Sequence, residues 1–313
     1  MNGTEETETK PICRICGSQD VQFFCEKKGY RLYDCNKCAF TFVFPIPEDL
    51  AAIYAENYFK NEGRSDAGYT DYDKDKAAMR EVFELYLKKL AALTSGRNIF
   101  DVGAATGYFL DIAKAHGWKT FGSEISDYAV NEGWHRGHEI TQGSIIGVTL
   151  QEKMDAVTLW DVLEHVDDPR GYLQAVNQML ADGGMLAINT VDRSSLWARV
   201  MGSRWHLIVP PEHLNYFSPE NLKMILEECG FEMLEVKKIG KNFSLSYIFK
   251  MLASWQGFSF WNWCARMTDN RFFRIFAIPI NLRDNVFVLA RKISIPNSLS
   301  NDIKFGIRPL SHL

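Results

Sequence analysis

The sequence has no apolar run as long as the roughly 18–20 residues that a membrane-spanning helix needs. Its first ten residues, MNGTEETETK, hold no basic region followed by an apolar stretch, so we expect no secretory signal and a cytoplasmic location. Neither sign of charge dominates, since 35 Lys and Arg stand against 39 Asp and Glu, a formal net charge of −4. This balance argues against a surface built as a whole to neutralise nucleic-acid phosphates, and leaves open only a local basic patch.

The composition is that of a globular protein. Hydrophobic residues make up 46% of the 313 residues and charged residues 24%, and the length suits one large domain with a small accessory one. The seven cysteines are an odd total that does not suggest a complete disulfide framework, and four of them form two C-x-x-C pairs.

Changes in residue pattern divide the chain into parts. Short alternating runs around the cysteines indicate small strands, and apolar residues then return at helical spacing. After Gly96, strand-like and helix-like runs alternate, which is typical of a parallel sheet covered by helices on both faces. The predicted parts are a disordered tail at 1–10, a small module at 11–47, a helical connector at 48–95, an α/β domain at 96–295 with an insert at 241–283, and a tail at 296–313.

Cys13, Cys16, Cys35 and Cys38 have the spacing of a zinc site. Each C-x-x-C pair can present two sulfur atoms from one tight turn, and the two pairs are 18 residues apart, a separation typical of tetrathiolate sites. With all four ligands supplied by cysteine, the metal would be structural, and a module this small needs such a site for stability. Four unrelated thiols in a reducing compartment are the alternative. The spacing therefore predicts a zinc-ribbon-like module.

A glycine-containing turn, Asp101-Val-Gly103-Ala104-Ala105-Thr-Gly107, follows a predicted strand and opens a helix. Glycines at such a turn let the backbone approach a ligand, and the helix N-terminus offers N–H donors. The dinucleotide fingerprint is not met, because Ala105 and Tyr108 occupy its second and third glycine positions. Glu124 ends the next predicted strand, where a carboxylate can accept both hydroxyls of a ribose. The joint placement favours nucleoside binding over a capping turn and a surface acid.

Over residues 96–292 the sequence resembles the Rossmann-like, class I methyltransferases that depend on S-adenosylmethionine. Residues 101–107 resemble that family's first motif, with Ala105 in place of the middle glycine, and residues 154–169 resemble its fourth-strand motif. Residues 211–231 and the cysteine pairs are similar to a bacterial subgroup with an N-terminal zinc-binding segment.

This resemblance implies an α/β fold with a Rossmann-like, seven-stranded, mostly parallel sheet and helices on both faces, plus the small N-terminal module. It implies S-adenosylmethionine as the cofactor, beside a structural Zn²⁺ ion. The cofactor-binding residues that it implies are Asp101, Gly103, Ala104, Gly107, Tyr108, Glu124, Ile125, Ser144, Trp160 and Asp161.

Methyl transfer to a hydroxyl needs an aligned nucleophile and a proton acceptor at the carboxyl ends of the strands. Asp161, Glu164 and His165 follow the predicted fourth strand, and His213 lies in a proline-containing loop before a helix. Each has a structural alternative: His165 and His213 can bond to backbone, Asp161 can hold cofactor or substrate, and Glu164 can cap a helix. The sequence leaves these four catalytic candidates open.

The insert at 241–283 holds eleven aromatic residues and six Lys or Arg against one acid. We interpret it as a substrate lid; a phosphate site, contact with an anionic membrane surface and a flap that completes the core are the alternatives.

We expect the protein to methylate a hydroxyl or carbon of a small molecule, with a sugar or carrier-linked glycan favoured by the family resemblance. An RNA methyltransferase that grips nucleic acid through the zinc module ranks second, because residues 1–45 hold six acids and six bases and no basic stripe. A non-catalytic, cofactor-binding scaffold is the other alternative.

Overall fold

The computed structural model describes residues 10–47, 50–54, 56–59, 72–76, 79–238, 241–244, 249, 252–253, 258–268, 277–280 and 282–293. Apart from Lys10, both predicted tails lie outside the described residues, as do parts of the connector and parts of the insert. The lid and membrane-contact predictions for 241–283 therefore stay predictions.

The described residues form thirteen strands, nine α-helices and two short 3₁₀-helices, Ala51–Tyr54 and Gly202–Arg204. The strands are β1 (Val21–Lys27), β2 (Tyr30–Cys35), β3 (Thr41–Val43), β4 (Asn98–Val102), β5 (Lys119–Glu124), β6 (Glu139–Gln142), β7 (Met154–Trp160), β8 (Leu180–Val191), β9 (Asn215–Tyr216), β10 (Phe231–Lys238), β11 (Lys241–Ser244), β12 (Ala277–Ile280) and β13 (Asn285–Lys292). The helices are α1 (Glu56–Phe59), α2 (Tyr72–Lys76), α3 (Arg80–Leu93), α4 (Tyr108–Ala115), α5 (Asp127–His135), α6 (Pro169–Met179), α7 (Leu196–Met201), α8 (Pro219–Glu228) and α9 (Ser259–Thr268).

Seven strands form the central sheet in the order β10-β13-β8-β7-β4-β5-β6. Only β13 runs against the others, pairing antiparallel with both β10 and β8. The predicted seven-stranded, mostly parallel, Rossmann-like sheet is confirmed.

Helices cover both faces of this sheet because successive strand residues point to opposite sides. On one face, residues such as Phe100 and Val157 pack in one buried cluster with α6 and α8. On the other face, residues such as Ile99 and Ala156 pack with α3, α4 and α5. The helices cover the two faces of the sheet, and the carboxyl ends of β4, β5 and β7 stay open.

The helix starts follow the sequence signals. Ser218 caps α8 in a reciprocal capping box with Asn221, and Pro219 takes the first helical position. Asp168 caps α6 with its side chain, which accepts the Gly171 N–H, and Pro169 takes the first helical position. Such caps determine the residue at which each helix begins.

The cysteine segment contributes three strands to a second sheet, whose order is β1-β2-β3-β9. The fourth strand, β9, comes from the segment after β8, and it pairs Asn215 with Phe42 and Tyr216 with Thr41. The segment also packs on the helices, since Arg170 of α6 donates to the Ile15 carbonyl at 2.7 Å. The predicted boundary at 47 stays a prediction, and the buried core is continuous across it.

Within the described residues, no helix is both long and apolar enough to cross a membrane.

Candidate active site and cysteine site

A cavity of about 510 Å³ opens at the carboxyl ends of β4, β5 and β7. Its walls come from four sources: the turn after β4, the ends of β5 and β7, the segment after β6, and the connector. The residues that line it include Tyr54, Tyr58, Phe59, Tyr72, Lys76, Gly103, Ala105, Glu124, Ile125, Ser144, Trp160, Asp161 and His165. A cavity of this size suits a small organic ligand.

The turn after β4 is held close to β5 by its backbone. The N–H groups of Gly103 and Ala104 both donate to the Ser123 carbonyl, at 2.8 and 2.9 Å. Gly103 has a φ of 69°, and a Cβ there would lie 2.7 Å from a methyl carbon of Val162, so glycine is required. Ala105, at the position of the family's middle glycine, is also left-handed, with φ 48°.

Glu124 is the buried carboxylate of the cavity, with 6% of its surface exposed. Its Oε2 accepts the Ala105 N–H and its Oε1 the Ser126 N–H, both at 2.9 Å. Burial raises the pKa of Glu124 above the usual value, against the lowering effect of these hydrogen bonds. Because a carboxylate oxygen can accept two hydrogen bonds, each retains capacity for a ligand hydroxyl.

The ten residues that the resemblance implied for the cofactor divide into two sets, those that line the cavity and those that do not. The lining set is Gly103, Glu124, Ile125, Ser144, Trp160 and Asp161, and the set outside the lining is Asp101, Ala104, Gly107 and Tyr108. Asp101 is buried beneath the turn, where the Thr158 hydroxyl donates to its Oδ1 at 2.6 Å.

Asp161 follows β7 in a left-handed conformation, with φ 55°. The Lys76 ammonium lies 2.7 Å from its Oδ2, and the Asn189 side-chain amide donates to its Oδ1. Lys76 is itself 6% exposed, so the pair is largely withdrawn from water. Such strain in a non-glycine residue persists only where surrounding contacts determine it.

The connector supplies an aromatic wall that the sequence analysis missed. Tyr54, Tyr58, Phe59 and Tyr72 line the cavity beside Lys76, and the Tyr54 and Tyr58 rings meet edge to face at 5.0 Å. In the sequence, Tyr54 and Tyr58 stand four residues apart, at helical spacing. This spacing does not distinguish residues of a cavity wall from residues of a buried core.

Glu164, His165 and His213 present ligand-type atoms within 4.8 Å of one another. His165 lines the cavity, whereas Glu164 is buried and His213 stands outside the lining. The two imidazole rings meet edge to face, with centroids 4.8 Å apart. The structure therefore brings three of the four predicted catalytic candidates into one group, and Asp161 joins His165 in the cavity wall.

The hydrogen bonds of both histidines fix the protonated ring nitrogen. The Glu212 carbonyl lies 2.8 Å from Nδ1 of His165, and the Leu207 carbonyl 2.8 Å from Nδ1 of His213. Because a carbonyl only accepts, each Nδ1 carries hydrogen, and each Nε2 keeps its lone pair in the neutral ring. Burial lowers the pKa of His165 to about 4, so this ring is neutral at physiological pH. The group can accept a proton or bind a divalent cation.

The four cysteines of the N-terminal segment form one cluster of free thiols. The sulfur atoms of Cys13 and Cys38 are 3.5 Å apart, as are those of Cys16 and Cys35. A tetrahedral ion with Zn–S bonds of about 2.3 Å separates its sulfurs by roughly 3.8 Å, so the set fits zinc. Hydrogen bonding between Cys13 and Cys38 lowers the pKa of Cys13 and raises that of Cys38, so this pair of sulfurs shares one proton in the absence of a metal.

Comparison with known proteins decides the family. A family model described as a methyltransferase domain matches residues 74–236, just over half of the chain. The chain belongs to this methyltransferase family. Together with the fold, this membership makes residues 74–236 a methyltransferase domain of the S-adenosylmethionine-dependent class, as the sequence predicted.

Two curated relatives of this methyltransferase are bacterial enzymes named ubiquinone biosynthesis O-methyltransferase. The one from Dinoroseobacter shibae is 25% identical over 45% of this chain and 62% of its own length, less than two thirds. The one from Azoarcus sp. is 22% identical over 47% of this chain and 70% of its own length. A solved Haloferax volcanii complex of the Trm112 methyltransferase activator with a methyltransferase contains a chain with TM-score 0.51 and 14% identity, covering 72% of this chain and 94% of that one. That likeness shows a shared fold.

Asp101 gives the methyltransferase a pH-dependent stability. Burial raises the pKa of Asp101 from 3.8 to about 8, so the folded protein binds a proton that the unfolded chain releases. The stabilisation is complete below pH 4 and is lost as the pH rises to about 8, at up to ~1.4 kcal/mol per pH unit. We expect Asp101→Asn, which keeps an acceptor for Thr158, to remove this decline in the free energy of unfolding. Urea titrations from pH 4 to 9 measure it, with the exposed Asp182→Asn as control; parallel curves for wild type and Asp101→Asn would contradict the prediction.

Proposed function

We propose that this enzyme transfers the methyl group of S-adenosylmethionine to a hydroxyl group of a small organic molecule, in the cytoplasm. The observation that carries the proposal is that one cavity is lined both by Gly103 and Glu124 and by His165. The names of the curated relatives support a hydroxyl acceptor. A sugar or carrier-linked glycan is the narrower acceptor class that the sequence favoured, and a carbon acceptor is the chemical alternative.

Some residues of the cavity bind the cofactor and the acceptor, and others transfer the proton. S-adenosylmethionine supplies an activated, positively charged methyl donor when bound. Glu124 accepts the ribose hydroxyls, while the Gly103 turn gives the nucleoside room. The aromatic wall from the connector, with Tyr54 and Tyr58, excludes water and offers apolar surface to the acceptor. Ile125, Ser144, Trp160 and Asp161 complete the binding surface.

His165 accepts the acceptor's hydroxyl proton at Nε2. Its Nδ1 is held by the Glu212 carbonyl, and the Tyr54 hydroxyl oxygen stands 2.9 Å from the same nitrogen. A ring with a pKa of about 4 is neutral at pH 7 but holds a proton weakly, so the proton must pass on. The His213 ring, whose centroid is 4.8 Å away, is the adjacent group that can take it.

A divalent cation is the second candidate for the same task. The donor atoms of Glu164, His165 and His213 lie close enough to share one ion, and each Nδ1 donates to a carbonyl, as in metal-binding histidines. Turnover that stops on chelation and returns with added Mn²⁺ would support the cation. Turnover that survives chelation would select proton transfer by His165 alone.

The cysteine cluster binds one structural zinc ion. This proposal rests on the fit of the sulfur positions to a tetrahedral site and on the absence of any open ligand position in a set of four cysteines.

A screen of acceptor classes tests the function. Release of S-adenosylhomocysteine would be measured with a catechol, a prenylated phenol, a sugar nucleotide and a transfer RNA as separate acceptors. Turnover with any of the first three supports a small-molecule acceptor, and the class that responds decides between phenol and sugar. Turnover with RNA alone would contradict the proposal.

Glu124→Gln is expected to weaken S-adenosylhomocysteine binding by about 1–3 kcal/mol, because the amide presents a donor where ribose hydroxyls need an acceptor. Calorimetric titration measures the affinity, and thermal unfolding checks that the turn bonded to Glu124 stays folded. Glu139→Gln, exposed on the neighbouring strand β6, is the matched control. Equal affinities for wild type and Glu124→Gln would place the ribose elsewhere.

A further inference from the structure

The turn from Leu163 to Val166 carries Glu164 and His165, and it is not helical. Its carbonyl groups therefore need partners from outside the turn. One residue far along the chain supplies most of them: the side-chain amide of Asn215 donates to the carbonyls of Leu163, at 3.2 Å, and Val166, at 2.6 Å. The backbone N–H of Asn215 donates to the Glu164 carbonyl at 3.0 Å. Asn215 thus determines the shape of this turn.

Asn215 is completely buried, and its side-chain oxygen is bonded by Arg14. One guanidinium nitrogen of Arg14 donates to that oxygen at 2.6 Å, and the other donates to the Val43 carbonyl at 2.5 Å. The guanidinium carbon also lies 5.4 Å from the centre of the Phe42 ring. A planar group with two donors fixes orientation as well as distance, so Arg14 sets the direction in which the Asn215 amide faces.

Arg14 stands between Cys13 and Cys16, in the first cysteine pair. Its backbone position therefore depends on the turn that places two of the four sulfur atoms. The strand that carries Asn215 also pairs with β3 of the cysteine segment, and the Val43 N–H donates to the Leu214 carbonyl at 3.0 Å. His213 precedes this strand by two residues, and the Tyr216 hydroxyl donates to its carbonyl at 3.0 Å.

We propose that Arg14 is a positioning residue for the reaction, which links the cysteine site through Asn215 to the turn that carries Glu164 and His165. The metal-bound cysteine site then stabilises more than its own segment, because it also holds the turn that carries Glu164 and His165 in place. The proposal rests on the proposed function in taking this turn as catalytic, while the mechanical link stands on the contacts alone.

Arg14→Met tests the link, since methionine keeps an apolar stem over Phe42 and removes both donors. With S-adenosylhomocysteine bound, we expect amide exchange of peptides 161–168 and 207–217 to quicken by about tenfold or more, with zinc content retained and ligand affinity within about threefold of wild type. Arg31→Ala, an exposed arginine of the same segment 3.8 Å from Glu26, is the control. Wild type stripped of metal should show the same faster exchange in both peptides.

Kinetic measurements distinguish a role of Arg14 in positioning the catalytic turn from a role in anchoring the cysteine segment alone. With an acceptor that wild type turns over, Arg14→Met should lower kcat by about 10- to 100-fold, with little change in the KM for S-adenosylmethionine, because a small misplacement of reacting groups acts on the chemical step. Faster exchange confined to residues 10–43, an unchanged kcat, or loss of zinc from Arg14→Met would each overturn the link. Absence of any turnover by wild type would count against the proposed function and leave the exchange result to decide the link.

Discussion

Replacing Cys35 with serine is expected to release about one equivalent of zinc and to destabilise the protein strongly. Zinc binding to such sites is worth roughly 10–16 kcal/mol in small domains, and a set with three thiolates binds far more weakly. Because β3 pairs with β9, the loss should reach beyond the cysteine segment and expose amides of peptide 207–217 as well as those of 11–43. Metal analysis, thermal unfolding and amide exchange measure the three effects.

Cys25→Ser is the matched control for that variant. Cys25 lies in β1 between the two cysteine pairs, is only half-buried, and is outside the cluster of four sulfur atoms. Its variant should keep the metal and most of the stability. Native protein without metal, or a Cys35→Ser variant that stays as stable as the control, would show that the four thiols are no metal site.

Local patterns predicted the parts of this molecule that depend on residues close in sequence. The two C-x-x-C pairs and the Gly103 turn each place their chemistry within a few residues, so composition and spacing suffice. The central sheet followed from the alternation of strands and helices together with the family resemblance. Glu164 and His165 were predicted as catalytic candidates because they follow a predicted strand at its carboxyl end, where parallel sheets bind ligands.

Contacts between distant segments were not predictable in this way. Strand β9 has only two residues, too few for any periodicity, and its pairing with β3 depends on the whole fold. Lys76 reads as one charge in a charged helix, and only the folded chain shows it buried beside Asp161. Arg14 likewise has no distinguishing pattern in the sequence, and its hydrogen bond to Asn215, 201 positions away, is seen only in the folded chain.

His165→Ala is expected to lower the rate of methyl transfer by about 10²–10⁴-fold, the usual contribution of a general base, with the affinity for S-adenosylhomocysteine close to that of wild type. His213→Ala should have a smaller effect, because its ring stands outside the cavity lining. Single-turnover transfer, measured with an acceptor from the screen, gives both rates. His116→Ala, exposed after the end of α4, is the control.

The pH dependence of the same reaction separates His165 from other bases. Since burial lowers the pKa of His165 to about 4, its neutral form prevails above pH 5, and the wild-type rate should show no loss from this group between pH 5.5 and 8.5. A base with the ordinary histidine pKa of about 6.5 would lose half its activity at that pH. A wild-type rate that falls with a midpoint near 6.5, with the same midpoint in His213→Ala, or near-normal turnover by His165→Ala, would exclude His165. Asp161 or Glu164 would then be the remaining candidates among the residues that follow β7.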